Sequence, residues 1–266
     1  MTKIVGIINV TPDSFANAVS RLAPEAAIAE AAAQIEAGAD MLDVGAESTR
    51  PGGAPVTPAE EWDRLAPCLP EIIRMAHAAG REVSVDTRNA ATAERAVAAG
   101  VDVINDVGGG AADMAAVMAA NEARLVIMHA LSLPVVRGET LPPETDIIAY
   151  LTSWFGARLD GLAAAGIHPA RVILDPGIGF GTTPRHAFEI VSRLAELRVL
   201  GRPLYVGHSR KSFLAGASDA PAPERDDVTL AVSGVLIAAG ADFIRVHNVA
   251  RHVALRARLA VPGGPG

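Results

Sequence analysis

The stretch Pro203-Leu-Tyr-Val-Gly-His-Ser-Arg-Lys-Ser-Phe213 begins as an apolar strand and ends abruptly in hydroxyls and cations. Such a run at the mouth of a buried strand is costly unless something there requires it. Similar breaks close other apolar runs. Asn9 follows Ile4–Ile8, Asp86 follows Val83–Val85, Asp175 follows Val172–Leu174, and Arg245 and His247 punctuate the run from Phe243. In a closed parallel barrel the carboxyl ends of the strands converge on one face, where barrel enzymes keep their chemistry.

Working outward, short Val/Ile/Leu runs alternate eight times with Ala-rich helical stretches. Strands are predicted near 3–9, 41–45, 82–86, 102–106, 124–129, 171–174, 203–207 and 243–247. Helices are predicted near 24–37, 58–79, 90–100, 111–121, 144–165, 184–198, 226–239 and 250–261. Glycines close several helices, and Thr57-Pro58 and Thr183-Pro184 open others. Continuous rather than alternating apolar strands suit a parallel sheet buried on both faces. The expected fold class is α/β, a single-domain (β/α)8 TIM barrel over 1–262 with a flexible tail at 263–266; an open doubly wound sheet is the alternative. The long loops 10–23, 46–57 and 130–143 fall on the face of the polar strand ends and are expected to be lids.

Composition bounds the function. A net charge of -7 over 266 residues argues against a nucleic-acid binder driven by bulk electrostatics. No apolar stretch is long and charge-free enough to span a bilayer. The chain passes from Met-Thr-Lys directly into a strand, without a signal peptide, so a cytoplasmic enzyme of small molecules is expected. The single cysteine, Cys68, reads as a core thiol rather than a nucleophile. No spacing recommends zinc, and Ser209 and Ser212 lack a nucleophile elbow. His129 suits a wall or loop anchor as well as catalysis.

Asp86, Asn105 and Asp175 offer two carboxylates and an amide, a set that accepts from the paired N–H groups of a nitrogen heterocycle. Each alone could cap a helix; three together argue for a ligand. Arg245 and His247, two apart, and Asn9 on the neighbouring first strand suit a phosphate or diphosphate, with Asn9 offering an oxygen to Mg²⁺. The competing reading pairs Arg245 with a structural acid such as Asp226 and sets His247 in the barrel wall.

Taken together, Gly6-Ile-Ile-Asn-Val-Thr-Pro-Asp-Ser-Phe15, Asp43-Val-Gly-Ala-Glu-Ser-Thr-Arg-Pro-Gly52, Val85-Asp-Thr87, Ile104-Asn-Asp106, Asp175-Pro-Gly-Ile-Gly-Phe180, Ser209-Arg-Lys-Ser-Phe213 and Arg245-Val-His247 closely resemble the dihydropteroate synthase family, in order from first strand to last. The resemblance implies a transferase of folate biosynthesis that joins 6-hydroxymethyl-7,8-dihydropterin diphosphate to 4-aminobenzoate, uses Mg²⁺, is a target of sulfonamides and forms a homodimer. It implies that Asp86, Asn105, Asp175, Phe180 and Lys211 hold the pterin, and that Asn9, Thr49, Arg245 and His247 hold the diphosphate, Asn9 also meeting the metal. Phe15, Arg50, Pro51 and Ser212 would build the aminobenzoate pocket. Lys211, Arg50, Asp86 and Asp175 form the implied catalytic set. A pterin-dependent methyltransferase-type barrel would share the acids but not the Arg245–His247 clamp; a non-catalytic pterin-diphosphate binder is the other alternative.

Three stretches depart from the family pattern. The first loop continues Ala16-Asn-Ala after Phe15 in place of Ser-Asp-Gly-Gly. The fifth reads Met128-His-Ala-Leu-Ser-Leu-Pro134, with Ala130 where a methionine is expected against the pterin. The chain also starts at its first strand, without the hairpin that often plugs the barrel floor. The first two bear on loop closure and pterin affinity, the third on stability.

Overall fold

The computed structural model describes residues 1–10, 23–47, 56–136, 138–216 and 221–260. The strands are β1 (Lys3–Asn9), β2 (Met41–Gly45), β3 (Glu82–Asp86), β4 (Val103–Asp106), β5 (Arg124–Met128), β6 (Val172–Asp175), β7 (Tyr205–Gly207) and β8 (Phe243–Val246). All pair in parallel in the order β6-β5-β4-β3-β2-β1-β8-β7. A bridge between Leu174 and Leu204, with Leu174 N donating to Pro203 O at 2.9 Å, joins the two ends of that sheet into a barrel. The expected eight-unit barrel is therefore what forms.

Around it run α1 (Ala23–Glu36), α2 (Pro58–Leu65), α3 (Leu69–Ala78), α4 (Ala90–Ala99), α5 (Ala112–Ala119), α6 (Ile147–Ala164), α7 (Pro184–Arg193), α8 (Asp226–Ala238) and α9 (Val249–Ala260). The single helix expected over 58–79 is two. Pro67 and Pro70 each lack an amide hydrogen, so the ladder breaks at Ala66–Cys68 and resumes with Pro70 in its first turn. Thr57 opens α2 with a capping box to Glu60, and Asp146 caps α6 through the amides of Ile148 and Ala149. The helix expected to 198 turns 3-10 after Arg193. No described helix is long and apolar enough to cross a membrane.

The outer layer of core joins strand backs to helices through side chains such as Ile4, Leu42, Ile72, Ile104, Leu125 and Leu236. Each such side chain, fully buried, is worth about 1.5–3 kcal/mol. The barrel interior is graded from bottom to top. At the bottom, Lys3 Nζ and Arg124 Nη2 meet the two oxygens of Glu82 at 2.9 and 2.8 Å. Both cations stand over the ring of Phe243, at 5.6 and 6.0 Å. These ion pairs are partly exposed and add little by themselves; the buried Phe243 ring closes the floor. Above it Val5, Met41, Val103, Val126, Ile173 and Tyr205 fill the middle. Two residues further along the strands come Asp43, Ser84, Asn105, Asp175, Gly207 and Arg245, because alternate residues share a face. An apolar plug thus supports a charged upper layer.

Candidate active site

Asp43 is the centre of that upper layer. It is wholly buried, and its carboxylate accepts from Ser84 Oγ, Asn105 Nδ2 (3.0 Å) and Arg245 Nε. Arg245 Nη2 reaches on to Asp86 Oδ2 at 2.9 Å. Burial works against the Arg245 charge, and Asp43 and then Asp86 overcome it, raising its pKa. The pairing with Asp226 weighed from sequence does not form. Asp226 instead takes Arg210, through Nε at 2.7 Å and Nη2 at 3.1 Å.

Asp175 comes from the end of β6. Its Oδ1 accepts from Gly177 N at 2.8 Å, while Oδ2 points toward Gly207. A side chain at Gly207 would stand 3.7 Å from that oxygen, 3.9 Å from Lys211 Nζ and 4.0 Å from Arg245 Cδ, so the glycine leaves the ring of polar groups open. Gly177 is required for a different reason: with φ at 69°, its missing Cβ would collide with the His129 carbonyl. Lys211 Nζ donates to Ile178 O at 2.6 Å and sits 4.7 Å from the centroid of Phe180. Burial lowers its pKa to about 8, against the pull of Asp175.

Burial also pushes Asp86 up to about 7, against Arg245, with Asp43, Glu61 and Asp106 adding to the rise. Asp175 is raised by burial, and Lys211 and the Gly177 amide oppose it. With Asp43, Asp86 and Asp175 facing Arg245 and Lys211, the layer has acceptors in excess of cations. It is matched to a ligand edge that brings donors.

The apolar side of the site is Val107, Met128 and Phe180, packed by Ala130, Leu133 and Val135. The fifth loop is tied over the sixth, with Leu131 N donating to Phe180 O (3.2 Å) and Leu141 N to Gly181 O (2.8 Å). Leu133 and Val135 thus supply apolar bulk beside the small Ala130. His129 turns the other way, edge-on to Tyr150 and Trp154 of α6, with burial lowering its pKa to about 4; it is a wall residue. The Cys68 thiol is raised to about 11 by burial and is no nucleophile.

A second polar group lies at the rim. Asn9, Arg210 and His247 line one cavity, and His247 Nδ1 shares a hydrogen bond with Ser209 Oγ at 2.9 Å. Arg210 takes the left-handed conformation, φ 60°, unusual for a residue with a side chain. Its guanidinium is held by Asp226, which Asn248 Nδ2 also meets at 3.1 Å. Ser212 is exposed and opens the 3-10 turn Ser212–Gly216. Phe15, Thr49, Arg50 and Pro51 lie outside the described residues.

Of the residues expected from sequence, the structure brings Asp86, Asn105, Asp175, Lys211, Phe180 and Arg245 together, and sets Asn9 with His247 at the rim. Asp43, Arg210 and Tyr205 belong beside them and were given no role from sequence, and Ser209 was weighed only as a nucleophile. The signal for Asp43 was an acid inside the apolar strand Met41-Leu-Asp-Val-Gly45.

The chain matches the pterin binding enzyme family over residues 5–247. It is 37% identical over 251 residues to a dihydropteroate synthase of Synechocystis sp., spanning 93% of this chain and 86% of that protein. A dihydropteroate synthase of Anaplasma phagocytophilum, solved with bound 6-hydroxymethylpterin-monophosphate, superposes with a TM-score of 0.89 at 45% identity, covering 98% of this chain and 99% of that one. That of Xanthomonas albilineans, solved with 4-aminobenzoic acid, gives 0.88 at 33% identity, covering 98% and 94%. The chain also matches bifunctional folylpolyglutamate synthase/dihydropteroate synthases, of whose length it spans 30%.

Proposed function

The chain belongs to the pterin-binding enzyme family, as a dihydropteroate synthase of folate biosynthesis, and we propose that it joins 6-hydroxymethyl-7,8-dihydropterin diphosphate to 4-aminobenzoate at the mouth of its barrel. The exocyclic C–O bond breaks, its electron pair leaving on diphosphate. The C–N bond forms from the lone pair of the aromatic amine, whose proton passes to solvent or to the released diphosphate. The observation that carries this reading is the convergence of Asp86, Asn105, Asp175, Lys211 and Arg245 above the apolar plug, with Asn9, Arg210 and His247 at the rim.

In this reading Asp86 and Asp175 accept from the N–H groups of the pterin, Asn105 is oriented by Asp43, and Lys211 donates to the ring beside Phe180. The carboxylates favour positive charge developing on the ring as the leaving group departs, so the displacement is dissociative. The rim groups, with Arg50 from the second loop, receive the diphosphate. Phe15, Pro51 and Ser212 shape the aminobenzoate pocket. An arylamine is neutral at pH 7, so attack needs no strong base.

Mg²⁺ would supply neutralisation of charge on the departing oxygens. Among the described residues no cluster of histidines, thiols or acids could hold a metal ion. Asn9 would offer such a hard cation one amide oxygen, a donor type that suits it. We extend the reading to one barrel domain, a cytoplasmic setting and a homodimer through the last helices, where Val235 of α8 and Leu259 of α9 stand half exposed.

The test is diphosphate release with and without 4-aminobenzoate. Release that needs both substrates and Mg²⁺ is expected. Tight pterin binding without release would instead mark a non-catalytic binder.

A further inference from the structure

Among the described residues, Tyr205 is the one polar side chain in the apolar middle of the barrel. Its residue is fully buried among Val5, Met41, Val103, Val126, Ile173 and Phe243, its ring tilted 32° to that of Phe243 at 6.0 Å. Its hydroxyl has no hydrogen-bond partner among the described residues. A buried donor left unused costs stability, and phenylalanine would avoid the cost. The next interior position on the same strand is Gly207, which puts no side chain between Tyr205 and the charged layer.

The donor count above it is short by one. A carboxylate has about four lone-pair sites. Asp43 uses one on Oδ1 for Ser84 and two on Oδ2 for Asn105 and Arg245. Among all charged groups acting on the Tyr205 hydroxyl after burial, Asp43 is the strongest, followed by Arg245, Asp175 and Asp86. One spare donor thus lies within electrostatic reach of one spare acceptor site.

We propose that Tyr205 is a positioning residue of the ring site: its hydroxyl donates to Asp43 through one buried water, and completes the hub that fixes Asn105 and Arg245 against the pterin. This rests on the functional reading above. Tyr205 itself touches no substrate. Its effect passes through Asp43 to the amide of Asn105 and to Arg245, and from Arg245 to Asp86. The ionisable and polar groups facing that hub are Ser84 and Asp86 from β3, Asn105 from β4, Asp175 from β6, Lys211 after β7 and Arg245 from β8. Loosening Arg245 from Asp86 weakens the cation that favours the ionised form of that carboxylate, so Asp86 takes its charge at higher pH.

The experiment is the affinity of 6-hydroxymethylpterin across pH 6–9 for the wild type, Y205F and Y205L. Y205F keeps the ring and the packing. It is expected to bind roughly tenfold more weakly at the acid end, with the acid limb of the profile moved up by roughly half a pH unit or more. Y205L also empties part of the middle layer and should lose thermal stability, which separates the ring's packing from the hydroxyl's role. Coincident profiles for Y205F and the wild type would overturn the proposal. So would a loss of equal size at every pH, the sign of packing damage alone. A wild type that binds no pterin at any pH would instead overturn the assignment of the ring site itself.

Discussion

Arg245 Nη2 donates to Asp86 Oδ2 across 2.9 Å, although the two residues stand 159 positions apart in the chain. The pair joins the last strand to the third and leaves Asp175 without an arginine ion pair among the described residues. The acids of the upper layer are therefore unequally supplied with cations.

Asp175 should be the more costly to neutralise. D175N keeps the shape but replaces an ionised acceptor with a neutral amide, and should weaken 6-hydroxymethylpterin binding by roughly 10- to 100-fold, on the scale of a charged hydrogen bond. Titration calorimetry decides it; undiminished affinity would remove Asp175 from the ring site.

Pterin affinity should describe a bell against pH. Asp86 accepts from the ring only when ionised, so affinity rises as pH passes about 7. Lys211 donates its charge only when protonated, so affinity falls again above about 8. A profile flat from pH 6 to 9 would count against both roles.

The rim can be separated from the ring site by D226A. Asp226 holds Arg210 through two hydrogen bonds, so its loss should raise the KM for the pterin diphosphate roughly tenfold. Affinity for 6-hydroxymethylpterin, which has no diphosphate, should stay within twofold. Equal losses for both ligands would mean that the rim does not act on the diphosphate.

Behind the site, His208 Nε2 and His252 Nε2 share Ser233 Oγ at 2.8 and 2.9 Å. Burial lowers the pKa of His208 to about 3, whereas in the unfolded chain it titrates near 6.5. Between those values the unfolded chain binds the extra proton, so this residue makes the fold less stable as pH falls. H208N should cost about 1–2 kcal/mol at pH 7.5 through the lost packing and hydrogen bond. That deficit should shrink below pH 6.5, by up to about 1.4 kcal/mol per pH unit. Denaturant melts at pH 7.5 and 5.5 give the difference; a deficit independent of pH would show that His208 is not held neutral.

A sulfonamide, an arylamine of the same outline as 4-aminobenzoate, should raise the KM for 4-aminobenzoate in proportion to its concentration and leave the saturating rate unchanged. Inhibition that excess 4-aminobenzoate cannot relieve would place the drug elsewhere.

The fold was legible because each strand is a short Val/Ile/Leu run and each helix is punctuated by Gly, Pro or a capping threonine. The break between α2 and α3 was written in Pro67 and Pro70, but the apolar pattern runs through it and suggests one helix. The polar residues of the upper layer were legible where a polar group ends an apolar run, as at Asp86 and Asp175. Asp43 and Tyr205 sit inside such runs, where a side chain reads as core whatever its chemistry. Their roles depend on partners brought near only by closure of the ring, Arg245 being 202 positions from Asp43. Asp226 is a further case: the competing reading of the sequence paired it with Arg245, and only the fold assigns it to Arg210.

A vessel with one stopped end admits traffic from one side only. Phe243 and the ions beside it are that stopper, while Ser212 stands at the lip. Whatever settles deepest, against the acids, has to enter ahead of whatever lodges near the lip, and a second guest that came early would block the doorway. On the proposed placement of the two substrates, the shape of the well sets the order in which they are taken up, before any step of bond making begins.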